Sequence, residues 1–270
     1  MDVRRIFSHR NRALLRELVV TDFKLRYQGS ALGYLWSLFR PLFLFGILLA
    51  VFGFILKVGS NIEHYPIYLL LGIVLWNFFV EATNNGLHSI LNRGDLIRKI
   101  NFPKYIIVVS GTISALINLG ISLIVVAIFM LFSGIELRPV ALAFPLIIIE
   151  LYVFALALAF FLSALYVKYR DITYIWELIM QAAFYATPIL YPLSLVSAKS
   201  AIIAKLMLLN PMAQMVQDAR YILVTPQTDT LIKLSHNRLA IAIPALIVIT
   251  TVVVAGYYFK KSSGFFAEDV

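Results

Sequence analysis

The chain has 270 residues, of which 61% are hydrophobic and 14% charged, with a formal net charge of +9. A soluble domain carries about a quarter of its residues charged, so this composition excludes a soluble surface and implies an integral membrane protein. The absence of cysteine excludes a disulfide framework, thiolate metal ligands and a cysteine nucleophile, and the basic excess reads as positively charged cytoplasmic loops rather than a nucleic-acid surface.

Met1 to Gly29 is polar and basic. It lacks the apolar core and small-residue site of a cleaved leader, so it is expected to stay in the mature chain. Arg10 to Tyr27 reads as a helix lying on the membrane. Leu14, Leu15, Leu18, Val19, Phe23 and Leu25 gather on one half of the helical wheel, and Glu17, Thr21 and Lys24 face away. Asp22 and Arg26 fall within the apolar half and are spaced to pair. The stretch LGYLWSLFRPL, 32–42, then opens the first apolar run. Gly29 and Gly33 allow a turn from the surface helix into the bilayer, a hinge. Tyr34 and Trp36 suit the headgroup level. Arg40 is near enough to the cytoplasmic side to snorkel, and Pro41 fits either the first turn of the span or a kink.

A spanning helix takes about 20 apolar residues. Six segments qualify, at about Trp36–Leu56, Ile67–Gly86, Ile106–Phe132, Leu142–Val167, Ile172–Leu190 and Leu239–Phe259. With the N-terminus placed in the cytoplasm, the inner pieces hold 15 of the Lys and Arg residues and the outer pieces 7, so both termini are expected inside.

Three spans carry polar stripes. In the second, Asn77, Glu81, Asn84 or Asn85, and His88 recur along one face. In the fifth, Tyr174, Glu177, Gln181, Tyr185 and Pro188 follow a similar rhythm. Both stripes fit interhelical hydrogen bonding and, equally, a water-lined path. In the third, Ser110, Ser114, Asn118 and Ser122 recur beside Gly111 and Ala115, which reads as tight packing through small residues. Between spans two and three, LNRGDLIRKINFPK (91–104) is expected to be helical from Asp95 to Ile100, with Asn101, Phe102 and Pro103 ending it. Ile97 and Ile100 would form an apolar ridge flanked by Arg98 and Lys99. This is either a plain positive loop or a docking helix for a cytoplasmic partner.

The loop from Tyr191 to Arg238 is expected to hold two short amphipathic helices. Ile202, Ile203, Leu206 and Leu209 make one apolar face. Asn210-Pro211 reads as an N-cap with proline in the first turn, followed by Met212, Met215, Val216, Ala219 and Ile222 at helical spacing. Aromatic side chains offer flat faces on which sugar rings stack. Tyr34, Trp36, Phe39, Phe43, Tyr174, Phe184 and Tyr185 are the candidates for such a wall.

No phosphate-cradling G-x-x-x-x-G-K-[ST] loop occurs, nor H-E-x-x-H, nor G-x-S-x-G. No catalytic residue and no metal-ligand set is therefore assigned. The interface helix ending in LRYQGSALGYLWSLFRPL, then NRGDLIRKINFPKY, KYRDI, TPILYPLS and LNPMAQMVQDAR, in this order and spacing, resemble the type-2 ABC exporter permeases that export O-antigen, capsular polysaccharide or teichoic acid. The resemblance runs over nearly the whole chain.

It implies an all-α membrane protein. Residues 1–30 would form a cytoplasmic tail with the interface helix, and 31–270 a six-span domain with a coupling helix near 92–103 and extracytoplasmic helices near 191–225. It implies a homodimeric channel with two copies of a separate cytoplasmic ABC ATPase, in a bacterial cytoplasmic membrane. ATP and Mg²⁺ would bind the ATPase, leaving this chain without a cofactor, and no nucleic acid is involved. Asp95, Leu96, Ile97, Arg98, Lys99, Ile100, Asn101 and Phe102 would be the coupling element. Spans one and five would line the channel, Glu177 and Gln181 joining the aromatic candidates. Lys24, Arg26 and Arg40 would meet the diphosphate of a lipid-linked glycan. A drug or small-lipid exporter of the same superfamily, and an ion-coupled secondary transporter, are the competing readings.

Overall fold

The structure, a computed structural model, describes residues 9–27, 33–60, 62–100, 102–235 and 238–266. For some helical positions, including Arg26, Tyr34 and Arg40, it describes the backbone alone. The described residues are helices and turns, without a strand. In chain order they are α1 (His9–Tyr27), α2 (Trp36–Leu48), α3 (Tyr65–Ser89), α4 (Gly94–Lys99), α5 (Tyr105–Phe132), α6 (Phe144–Lys168) and α7 (Ile172–Ala186), then the short α8 (Ser194–Ser197), α9 (Ala201–Leu208), α10 (Pro211–Leu223) and α11 (Leu231–Leu234), and finally α12 (Arg238–Ser262).

Four stretches are long and apolar enough to cross a bilayer: Tyr65–Ser89, Tyr105–Phe132, Pro139–Lys168 and Ala240–Ser262. The other two expected spans are helical but shorter or interrupted. After Leu48, α2 loosens into a π-helical stretch, Leu49–Ile55. Pro41 sits in the interior of α2 rather than its first turn, so the carbonyl of Ser37 lacks its helical donor. The 15-residue α7 stops at Ala186, where Thr187 turns to an extended conformation ahead of Pro188. The proposed hinge at Gly29 lies outside the described residues. Gly33 has φ +48°, and an added Cβ would meet nothing within 4 Å, so the requirement for glycine there is conformational rather than steric.

The core is organised around α3. His64, at φ 55°, redirects the chain, and Pro66 opens the helix. This helix is apolar around most of its circumference and is buried accordingly, with Leu69, Leu71 and Leu75 fully enclosed. It packs between α5 and α6 through small residues. A Cβ on Gly86 would come within 2.2 Å of the Ala159 Cβ. The face of α5 carrying Ser110, Ser114 and Ala115 is buried as its sequence anticipates, the two serines bonding back to their own helix at Ile107 and Ser110 carbonyls. By contrast α5, α6 and α12 turn Ile124, Leu146, Ile149 and Val253 outward, as lipid-facing helices do.

Candidate functional site

At the Ser89 end of α3, the chain turns through Leu91–Arg93 into α4. A second apolar cluster gathers here: Leu18 of α1, Ile97 of α4, Phe102, Ile106 and Ile107 of α5, and Phe259 and Phe266 at the chain end. The α1 helix therefore lays its leucine face on protein, with Leu14 and Leu15 packed against the cluster. The pairing of Asp22 with Arg26 suggested by their spacing falls on a side chain outside the described residues. The Asp22 carboxylate accepts from the Arg93 guanidinium, across 71 positions of sequence. Lys104 Nζ donates to the Ser263 carbonyl at 2.6 Å and lies 5.8 Å from the Phe266 ring centre. The α4 turn is thus tied to α1, α5 and the end of α12.

The expected ridge of Ile97 and Ile100 is divided. Ile97 faces inward at 6% exposure, and Phe102 is buried beside it. Ile100 is exposed, and Asp95, Arg98 and Lys99 share the outer side with it. The reason is geometric: α4 ends at Lys99, and Ile100 is extended (φ −130°, ψ 130°), so the two isoleucines no longer share a helical face. Leu96 is half-buried, and Asn101 lies outside the described residues. Of the cations considered for a phosphate, Lys24 is exposed on α1; the side chains of Arg26 and Arg40 lie outside the described residues.

The two polar stripes have different surroundings. On α3, part of the stripe is bonded to α5: Asn85 Nδ2 donates to the Gly111 carbonyl at 3.1 Å, and Glu81 Oε1 accepts from Asn118 Nδ2 at 2.7 Å. The rest faces a cavity of about 770 Å³, with Asn77, Glu81, Asn84 and Ser122 in its wall and Trp36 and Pro41 of α2 on the other side. A smaller cavity of about 250 Å³ shares Asn84 and Asn85 and continues past His88 to Asp22 and Arg93. On α7, the stripe is turned outward: Tyr174 and Tyr185 are each 69% exposed, and Glu177 and Gln181 are exposed between them. Phe184 is half-buried and packs on Trp76, their rings 5.8 Å apart. On α2, Trp36, Phe39 and Phe43 are exposed, and the side chain of Tyr34 is outside the described residues.

The Tyr65 end of α3 holds the residue that sequence reasoning missed. Arg220 of α10 is fully buried. Its Nε donates to the Tyr68 carbonyl at 2.9 Å, Nη1 to the Pro188 carbonyl at 2.5 Å and to Gln217 Oε1 at 3.0 Å, and Nη2 to the Ile189 carbonyl at 2.7 Å. The guanidinium carbon lies 3.7 Å from the Tyr68 ring centre, a cation–π contact. The Pro188 and Ile189 carbonyls are available because Pro188 and Pro192 break the helix after α7. Gly72 leaves the space: a Cβ there would lie 2.3 Å from Arg220 Nη2. Tyr65 and Tyr68 hydroxyls close the knot on the Leu190 carbonyl and Gln217. A signal was present in the sequence, since Arg220 falls eight residues after Met212 and four after Val216, on the apolar face of α10. The expected helices in this loop do form, and Asn210 caps α10 by accepting from the Met212 amide at 3.0 Å.

Residues 13–224 match the family described as ABC-2 type transporter. The O-antigen export system permease protein RfbA of Myxococcus xanthus is 33% identical over 214 residues, 79% of this chain and 80% of that protein. A protein of the same description from Klebsiella pneumoniae is 29% identical over 206 residues, 75% of this chain and 77% of that protein. With the match covering α1 through α10, the chain belongs to the ABC-2 type transporter family.

Proposed function

We propose that this chain is the permease subunit of an ATP-driven exporter that moves a lipid-linked cell-surface polysaccharide, O-antigen first among the candidates, out of a bacterial cytoplasm. The observation that carries this reading is the likeness to O-antigen export permeases over about four-fifths of both chains. The lack of a phosphate-binding loop places hydrolysis on a partner ATPase, which binds ATP and Mg²⁺. The chain lies in the inner membrane with six spans and both termini in the cytoplasm, as the Lys and Arg distribution supports. The α2 segment and α7, too short or interrupted to count by length alone, complete the six.

The working unit is a dimer of this chain. Exposed Glu177 and Gln181 on a membrane helix are costly against lipid and suit a water-filled seam. Tyr174, Tyr185, Trp36, Phe39 and Phe43 would line that seam with flat faces for sugar rings. On the cytoplasmic side Asp95, Arg98, Lys99 and Ile100 would enter the ATPase surface. ATP-driven closure pushes on α4, and the apolar cluster joining Ile97 to Leu18 and Phe259 carries the displacement to α1 and α12. Lys24, Arg26 and Arg40 would offer cations to the carrier diphosphate at the cytoplasmic surface.

The absence of native cysteine makes a direct test simple. Gln181→Cys, oxidised in native membranes, is expected to give a disulfide-linked dimer. Monomers throughout a series at 174, 177, 181 and 185 would overturn the dimeric channel. Deleting the gene is expected to abolish surface polysaccharide, with rescue requiring both this chain and an ATPase. Normal polysaccharide without the chain would overturn the export reading.

A further inference from the structure

The smaller cavity lies at the Ser89 end of the bundle, where the Lys and Arg distribution puts the cytoplasmic surface. Its volume is about 250 Å³, and its wall holds Asp22 of α1, Asn84 and His88 of α3, and Asn92 and Arg93 of the turn that follows. Whole small-molecule sites run to about 300–1,000 Å³, so this space suits a headgroup. Asn84, His88 and Asn92 fall four residues apart, on one side of α3 and its continuation. The His88 ring stands edge-on to Tyr166, their centres 5.2 Å apart. None of the three side chains hydrogen-bonds to a described residue, and none is sealed away from water.

Arg93 is the only Lys or Arg among the described residues of the wall, and Asp22 the only carboxylate. Arg93 Nη2 donates to Asp22 Oδ1, a single contact from a guanidinium that carries five N–H donors. The rest of those donors meet no side-chain or carbonyl acceptor among the described residues, and they too are open to water. A partly exposed ion pair is weak. A phosphate takes a guanidinium through two parallel N–H bonds, so it competes with Asp22 on better terms. The wall selects against other ligands. Arg93 opposes a cation, and an uncharged hydroxyl leaves the guanidinium without a matching charge. A group that only accepts uses the Arg93 fork together with the N–H groups of Asn84, His88 and Asn92.

We infer a phosphate site inside each protomer, built on Arg93, His88 and Asn84, whose occupant is the phosphate of a lipid headgroup and takes Arg93 away from Asp22. The lipid is either the diphosphate carrier of the transported glycan, a source that rests on the export reading above, or an anionic phospholipid of the inner leaflet. Asp22 belongs to α1 and Arg93 leads into α4, so entry of the headgroup releases the tie between them. A filled site is thereby felt at α4, the segment proposed to meet the ATPase.

The test uses the whole chain in maltoside detergent, which brings no phosphate of its own, with radiolabelled farnesyl diphosphate as the probe and farnesol as its uncharged control. Arg93→Gln is expected to weaken the probe by about tenfold, the loss of a charged hydrogen-bonding partner. Asp22→Asn is expected to tighten it by about threefold, the worth of a partly exposed ion pair. His88→Phe keeps a ring against Tyr166 and is expected to weaken the probe by about threefold. Opposite signs at the two halves of one ion pair are the readout that a bracing role does not produce, because breaking a brace from either side damages the same fold. Weaker binding in both Asp22→Asn and Arg93→Gln, or no change in either, overturns the proposal; so does an equal change in farnesol binding. Where Arg93→Gln does not fold, the sign of the Asp22→Asn effect decides. Displacement of the probe by excess dioctanoylphosphatidylglycerol supports the site with a phospholipid as a source, and failure to displace it supports the site with the carrier diphosphate alone. The export reading is judged apart, by the deletion strain: normal surface polysaccharide there would overturn that reading and leave the binding result standing.

Discussion

The two ends of α3 are held by opposite kinds of chemistry. At the Tyr65 end a single buried guanidinium bonds three backbone carbonyls and a glutamine, joining α10, α3 and the broken segment after α7. At the Ser89 end an apolar cluster shared among α1, α4, α5, α6 and α12 does the joining, with a partly exposed ion pair, Asp22–Arg93, at its edge. Hydrogen bonds to a buried charge are directional and leave no second arrangement of equal energy. Apolar contact is non-directional and tolerates small displacements. The first end suits a fixed frame and the second suits a joint that transmits motion.

The largest effect that would break this contrast is expected at Arg220. Arg220→Met leaves the Pro188 and Ile189 carbonyls without their donor and is expected to cost about 3–5 kcal/mol, read as a lower unfolding midpoint and loss of folded protein in detergent. A midpoint unchanged from wild type would show that the knot is not a structural anchor. Gly72→Ala forces a methyl group against a guanidinium that four hydrogen bonds hold in place. It is expected to cost about 3 kcal/mol, the upper end for overpacking.

Smaller stability changes with larger functional consequences are expected at the other end. Leu18→Ala removes buried apolar contact between α1 and the cluster it shares with α5, and about 2 kcal/mol is expected, the low end for such truncations. ATP-driven export should fall further than stability does, and parallel loss of the two would argue against a transmitting joint. Asp22→Asn is expected to cost about 1 kcal/mol or less, because the pair is partly exposed. Its signature is ATP hydrolysis by the complex that persists while export declines.

Much of the helical organisation was legible because it is local. Asn210-Pro211 announces the start of α10, and the capping hydrogen bond forms as that pair implies. The small-residue face of α5 packs as read. Partners far off in sequence were not legible: Arg93 reaches Asp22 across 71 positions. Ile97 and Ile100 share a helical face only if the helix continues, and it ends between them.

The sequence by itself determined that this is a helical membrane protein, where most of its helices begin and end, and which residues share a face. Those properties depend on hydropathy and on interactions within a few residues. Only the tertiary structure decided what each face meets. The polar stripe of α3 meets α5 and a cavity, that of α7 points outward, and Arg220 finds the Tyr68 carbonyl across 152 positions. Helical periodicity specifies a direction from the axis, whereas the group waiting in that direction is set by the packing of the whole bundle.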